Sequence, residues 1–127
     1  MMRIVVDIHN GIFRDAVART LRDFSPDFEV YDSESPEQTA ECCAVTSADV
    51  LLMEVTGYSS WKLEERMLIR DKVKTDNPDC KVVLIVDENS ERKLADRVRK
   101  AKKDGLIDQF IYGSVSAAYL SAVIDAL

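Results

Sequence analysis

Acidic side chains stand at or just after the ends of three short apolar runs, and their types and spacing suggest shared chemistry. They are Asp7, Glu54 and Asp87. If the runs are parallel strands of one sheet, their carboxyl ends meet at one edge, and at least Asp7 and Glu54 face one crevice. Carboxylates that are brought together repel each other, so they raise at least one pKa or recruit a cation such as Mg²⁺. The spacing therefore predicts an acidic pocket of all three residues, with Asp7 and Glu54 as candidate Mg²⁺ ligands and no other cofactor.

Five strands are predicted to position these acidic residues. Short runs rich in Val and Ile, nearly unbroken rather than alternating, are typical of strands buried on both faces of a parallel sheet. Two weaker runs indicate more exposed strands. The predicted strands are Arg3–Val6, Phe28–Tyr31, Val50–Val55, Val82–Val86 and Gln109–Tyr112.

A helix is predicted after each strand, because apolar residues recur there at three- and four-residue spacing. Ser35 is expected to cap the second helix, with Gln38 completing a capping-box pattern. The fourth helix is predicted to end near Gly105, and Ser114 or Ser116 to cap the fifth. Strand and helix thus alternate five times along the chain.

This alternation predicts an α/β fold with a parallel sheet and helices on both of its faces. At this size the expected architecture is a flavodoxin-like, doubly wound (βα)5 three-layer sandwich with strand order 2-1-3-4-5. The 127 residues fit one domain, spanning 1–127. The sequence is compatible both with a whole protein and with an input domain excised from a longer one.

Composition argues against several classes of protein. The net charge of −6 and the isoelectric point of about 4.8 disfavour direct nucleic-acid binding, since the phosphate backbone attracts an excess of Lys and Arg. Residues 1–10 hold one Arg and a strand-length apolar run, which favours neither a signal peptide nor a membrane span. Cys42, Cys43 and Cys80 suit neither a disulfide framework nor a zinc site. A cytoplasmic protein with reduced thiols is therefore expected.

Two segments resemble the receiver domains of two-component response regulators. Ile4–Asp7, followed by a helix that begins Gly11–Ala16, resembles the start of such a domain, and Ala48–Val55 resembles its third strand. The resemblance extends from Arg3 to Leu127. It implies a signal-transduction module, and receivers accept a phosphoryl group on an Asp that corresponds here to Glu54.

The chain departs from the receiver pattern at the phosphorylation site. The matched positions are Ile8 for the second Mg²⁺-binding acid, Glu54 for the phospho-acceptor, Val86 for the switch hydroxyl, Phe110 for the switch aromatic, and Gly113 with Ser114 for the Lys-Pro pair. In other enzymes, removing one group that contacts the charge developing in the transition state raises the activation free energy by about 3 kcal/mol. The resemblance therefore implies a degenerate pseudo-receiver, not an enzyme, that acts through protein contacts without phosphorylation.

The fourth predicted helix is strongly basic and is a candidate docking surface. The resemblance implies that a protein partner or a second copy binds through the fourth helix, fifth strand and fifth helix, and that a fused output domain can follow. A solvated helix face is the alternative. The basic residues chosen for this surface are Arg92, Lys93, Arg97 and Lys100.

Two other functions stay open. One is an active phospho-receiver that uses Glu54 or Asp87 as an atypical acceptor. The other is a small metal-dependent flavodoxin-like enzyme or ligand-binding domain that uses Asp7, His9 and Glu54. No nucleophile motif supports the enzyme, and a fold by itself does not give a function.

Overall fold

One parallel sheet organises the described part of the chain. The computed structural model describes residues 1–33, 35–87 and 92–127, with the side chain of Arg92 outside the description. The strands are β1 (Met2–Asp7), β2 (Phe28–Asp32), β3 (Val50–Val55), β4 (Lys81–Val86) and β5 (Gln109–Tyr112). They are hydrogen-bonded in the order β2-β1-β3-β4-β5, and every pair is parallel. The predicted fold class and strand order are confirmed.

Helices follow the strands as predicted. They are α1 (Gly11–Phe24), α2 (Thr39–Thr46), α3 (Leu63–Asp76), α4 (Arg92–Lys103) and α5 (Ala117–Asp125), with short 3-10 turns at Pro36–Gln38 and Ser59–Trp61. α1 and α5 pack on one face of the sheet, and α2, α3 and α4 pack on the other.

The ends of α4 and α5 follow the sequence signals. Gly105 adopts a left-handed φ of 78° just beyond α4, and its N–H donates to the carbonyl of Lys102 at 3.0 Å. The N–H of Leu106 donates to the carbonyl of Ala101 at 3.0 Å, which completes the pattern of a glycine-terminated helix. For α5, Ser116 is the capping residue, since its side chain accepts from the N–H of Tyr119 at 3.2 Å.

The prediction that Ser35 caps the second helix is wrong. Ser35 makes no side-chain capping hydrogen bond, and Pro36–Gln38 forms a 3-10 turn before α2 begins at Thr39. The carbonyl of Ser35 instead accepts a hydrogen bond from the hydroxyl of Ser33 at 2.9 Å, and Oγ1 of Thr39 lies 3.1 Å from the same carbonyl. These hydroxyls hold the turn, so the side chain of Ser35 is not needed as a cap.

Side chains of each central strand alternate between two buried clusters. Val5 and Met53 pack with the layer of α2, α3 and α4, whereas Val6 and Leu52 pack with the layer of α1 and α5. Successive residues of a strand point to opposite faces of a sheet. Adjacent residues at a strand end are therefore delivered to different sides of the sheet.

Candidate functional site

Asp7 is paired with a buried arginine. Arg66 of α3 donates from Nη1 to Oδ2 of Asp7 at 2.6 Å, and the hydroxyl of Thr39 donates to the same oxygen at 2.5 Å. The side chains of Arg66 and Asp7 are 0% and 3% exposed. Because an unpaired buried charge is very unfavourable, each of these two charges depends on the other.

Arg66 also binds the backbone at the ends of two strands. Its Nε donates to the carbonyl of Glu54 at 2.8 Å, and its Nη2 donates to the carbonyl of Asp7 at 3.3 Å. The guanidinium therefore joins β1 and β3 at their carboxyl ends. Arg66 was not predicted from the sequence, although it lies three residues after Leu63 on the face of α3 that is buried.

The carboxyl groups of Asp7 and Glu54 do not share one crevice, which corrects the sequence-based prediction. Asp7 is in register with Met53, one residue before Glu54. Since neighbouring residues of a strand point to opposite faces, Asp7 enters the layer of α2 and α3 while Glu54 is directed to the other side. They are linked through Arg66, which contacts the Asp7 side chain and the Glu54 backbone.

Glu54 lines a cavity of about 320 Å³ at the carboxyl edge of the sheet. Its Oε1 accepts a hydrogen bond from the N–H of His9 at 2.9 Å. The lining residues are Asn10, Phe13, Glu54, Ile85, Asp87, Gly113 and Ser114. Two of the three predicted pocket acids, Glu54 and Asp87, thus lie at this cavity, and none of the described residues that line it is basic.

Val86, which the receiver resemblance matches to the switch hydroxyl, does not line the cavity at Glu54. It is completely buried and belongs to the cluster on the side of α4. Ile85 and Asp87, on either side of it, both line the cavity at Glu54. The strand alternation thus brings the acid Asp87, rather than Val86, to the cavity.

Phe110 and Gly113 lie on opposite sides of the end of β5. Phe110 is partly buried against the cluster beside α4, and its ring meets that of Tyr112 edge-on with centroids 5.5 Å apart. Gly113 lines the cavity, and its N–H donates to the carbonyl of Val86 at 3.0 Å. Phe110 is therefore a packing residue in this structure, and Gly113 adds no side chain at the cavity.

An aromatic group covers the Asp7–Arg66 pair. The ring centroid of Trp61 lies 6.0 Å from Cζ of Arg66, within the range of a cation–π contact. The His9 ring lies 4.4 Å from that of Trp61 and 5.2 Å from that of Tyr58, centroid to centroid. The imidazole of His9 thus contacts aromatic rings beside the site.

The residues at this edge do not fit a Mg²⁺ site of the receiver type. The carboxylate of Asp7 is bound by Arg66 and Thr39, and Ile8, at the position of the second acid, is buried with 2% of its surface exposed. Within the described ranges, no group of three or more His, Cys, Asp or Glu side chains could hold a metal ion. The Asp7 carboxylate is thus occupied by Arg66 and Thr39 rather than open to a metal ion.

The cysteines lie away from the cavity and carry free thiols. Burial raises the pKa of Cys80 to about 11 and the pKa of Cys43 still further. Burial also raises the pKa of the half-buried Cys42. A thiol with a raised pKa stays protonated and is a poor nucleophile at neutral pH.

The basic residues of α4 form an exposed face, part of which is paired within the chain. Arg97 forms an ion pair with Glu64 of α3. Lys100 Nζ lies 2.9 Å from Oδ2 of Asp104, and Lys93 is exposed. The prediction for the side chain of Arg92 lies outside the described residues.

The chain matches no protein-family model and no curated protein. It is similar in structure to a LuxR-family DNA-binding response regulator from Staphylococcus aureus, with a TM-score of 0.76 and 12% identity over 99% of this chain and 98% of that one. It also resembles the REC domain of the response regulator AraT from Geobacillus stearothermophilus, with a TM-score of 0.75 and 16% identity over 98% of this chain and 91% of that one.

The chain has the receiver-domain fold. A CheY-like protein, TadZ, from Pseudomonas aeruginosa PAO1 has the same arrangement, with a TM-score of 0.69 and 20% identity over 99% of this chain and 92% of that one. At such low identity the likeness establishes the receiver-domain fold and leaves the activity to be argued from the site. No helix in the described ranges has the length and apolar character needed to cross a bilayer.

Proposed function

We propose that this chain is a signal-transduction module with a receiver-domain fold that acts through protein–protein contacts and does not use phosphorylation. The observation that carries the proposal is the cavity at Glu54. It is lined by a second acid, Asp87, and by no basic residue within the described part of the chain. The two carboxylates of Glu54 and Asp87 are the acidic side chains among these described lining residues.

Phosphoryl transfer depends on positioning and on neutralising the charge of the transferred group. The buried cation nearest to this chemistry, Arg66, is engaged with Asp7 on the other side of the sheet. Gly113 has no side chain with which to supply a second cation. Glu54 itself accepts a hydrogen bond from the N–H of His9, which holds its carboxylate in place. These contacts support a fixed site rather than one that is modified.

The contact surface that we propose is formed by α4, β5 and α5. α4 carries Lys93, Arg97 and Lys100 on an exposed face, while the whole chain has a net charge of −6. A partner with an acidic surface would complement α4, and a second copy of this chain, with its net charge of −6, is one candidate. Opposite potentials steer two proteins together and set their orientation.

The direct test treats the purified protein with a small phosphodonor such as acetyl phosphate in the presence of Mg²⁺ and records the intact mass. We expect no added phosphoryl group, because no described residue that lines the cavity is a neutralising cation. A receiver domain with an Asp acceptor, treated in parallel, controls for the activity of the donor. Stoichiometric addition that disappears in Glu54→Gln, or in Asp87→Asn, would contradict the proposal and would favour the phospho-receiver alternative.

A further inference from the structure

We propose that Arg66 is the resident cation of this site, bound by the oxygens that would otherwise be available to a divalent metal. This inference concerns the cation requirement of the site and goes beyond the proposed signalling function. Receiver domains use Mg²⁺ at their phosphorylation site, whereas this chain presents a buried arginine.

The first support is the identity of the atoms that surround the guanidinium. Arg66 contacts a carboxylate oxygen of Asp7, the main-chain carbonyl of Asp7 and the main-chain carbonyl of Glu54, at 2.6, 3.3 and 2.8 Å. Carboxylate and carbonyl oxygens are the ligands that hard divalent cations prefer. The ends of β1 and β3 therefore form an oxygen-lined position, and a side chain fills it.

The second support is the permanence of this charge. A guanidinium is not deprotonated in proteins, and its fork of donors binds several oxygens in a fixed geometry. Arg66 has no solvent-exposed surface, and its side chain extends from α3, which packs on the sheet through buried residues such as Val73. The charge is thus always present and does not depend on the concentration of an ion in solution.

The third support is the cover over the pair. The Trp61 ring lies beside the guanidinium, and the His9 ring contacts Trp61. The loop that carries Trp61 is closed by a hydrogen bond from the N–H of Thr56 to the carbonyl of Trp61 at 3.0 Å. An aromatic ring thus adds a cation–π contact to the oxygens that hold Arg66.

The experiment compares Mg²⁺ responses of the wild-type protein and Arg66→Ala, with NaCl at matched ionic strength as the reference. Two readouts are used: the melting temperature, and the fluorescence of Trp61, which is the only tryptophan of the chain. In the wild-type protein we expect neither to change. In Arg66→Ala we expect about 10 mM Mg²⁺ to raise Tm by about 5 °C, because a ligand that binds only the folded state stabilises it, and to change the Trp61 signal.

Three further variants make the test specific. Arg70→Ala removes an arginine of the same helix that donates to the carbonyl of Leu106 at 2.6 Å, and it should stay unresponsive to Mg²⁺. Arg66→Lys keeps a positive charge at the position and should also be unresponsive. Arg66→Ala combined with Asp7→Asn removes the carboxylate ligand, so the Mg²⁺ response should be lost. A purely structural role for Arg66 would produce none of these differences.

The outcomes separate this inference from the proposed function. A folded Arg66→Ala protein without a Mg²⁺ response, or a wild-type protein with the same response, would overturn the inference. If Arg66→Ala is unfolded in NaCl, Mg²⁺ must restore its folding, and a chain that stays unfolded overturns the inference too. Phosphorylation of the wild-type protein at Glu54 would contradict the proposed function, whereas Mg²⁺ binding without phosphorylation would contradict only the inference.

Discussion

At the scale of single residues, a buried ion pair between Asp7 and Arg66 organises the site, and only its acidic member stands out in the sequence. Asp7 and Glu54 stand out because each interrupts or ends an apolar run. Arg66 does not stand out, because α3 carries several charged residues and its burial depends on Asp7, which is 59 residues away along the chain. The assignment of acids to one crevice failed for a related reason. A shift of one residue between β1 and β3 decides which face receives each side chain, and that register is not encoded in the composition of either strand.

The Asp7–Arg66 pair predicts a large and strongly non-additive effect on stability. Arg66→Met leaves the Asp7 carboxylate buried without its partner and should lower the free energy of unfolding by about 3–5 kcal/mol. Adding Asp7→Leu removes the uncompensated charge, so the double variant should be more stable than Arg66→Met alone. Equilibrium unfolding in urea measures both quantities.

The exposed ion pair of Arg97 and Glu64 provides the control for these single and double variants. Both side chains are more than half exposed, so Arg97→Met should change the free energy of unfolding by less than about 1 kcal/mol. Two results would show that the buried pair does not act as a unit. One is that the effects of Asp7→Leu and Arg66→Met on the free energy of unfolding simply add in the double variant. The other is that Arg66→Met and Arg97→Met lower the free energy of unfolding equally.

At the scale of elements, local signals predicted most of the fold. Val50–Val55 and Gln109–Tyr112 have the predicted bounds, because unbroken apolar or aromatic runs define where a buried strand starts and stops. Gly105 ends α4 as expected because its backbone must adopt a left-handed φ. The start of α2 was not predictable in the same way. Its turn is held by hydroxyls of Ser33 and Thr39, one of which also binds Asp7 across the layer.

The exposed face of α4 leads to a prediction about association. Arg97→Glu combined with Lys100→Glu should weaken self-association, or binding to an acidic partner, by about tenfold, because complementary charge is lost at the contact. The effect should shrink at high salt, which screens exposed charges. Sedimentation velocity at low and high ionic strength measures it.

A matched double variant distinguishes an effect of the α4 surface from an effect of the total charge of the protein. Arg19→Glu combined with Lys62→Glu makes the same change in total charge on α1 and just before α3, and it should leave association unchanged. Equal behaviour of the two double variants would argue against a docking role for α4, and loss of folding in the α4 variant would be visible in the same sedimentation experiment as a change of shape.

At the scale of the whole molecule, one architecture is reached with little shared sequence. Identities of 12% and 16% accompany TM-scores of 0.76 and 0.75, so the order of buried strands and amphipathic helices specifies this fold at low sequence identity. In this chain the sheet brings the acid Glu54 to its carboxyl edge, and the described residues that line the cavity with it are acidic, polar or apolar, with no basic residue among them.

The central claim is that this site is held in one state by its own residues. The most direct measurement is a two-dimensional amide NMR spectrum of the wild-type protein, recorded before and after addition of Mg²⁺ together with the phosphoryl analogue beryllofluoride. We predict that the amide signals of Glu54, Asp87 and Gly113 keep their positions, and that those of Phe110 and Tyr112 do so as well. Saturable shifts that begin at Glu54 and extend to Phe110 would contradict the account, because they would reveal a functioning phosphoryl site coupled to β5.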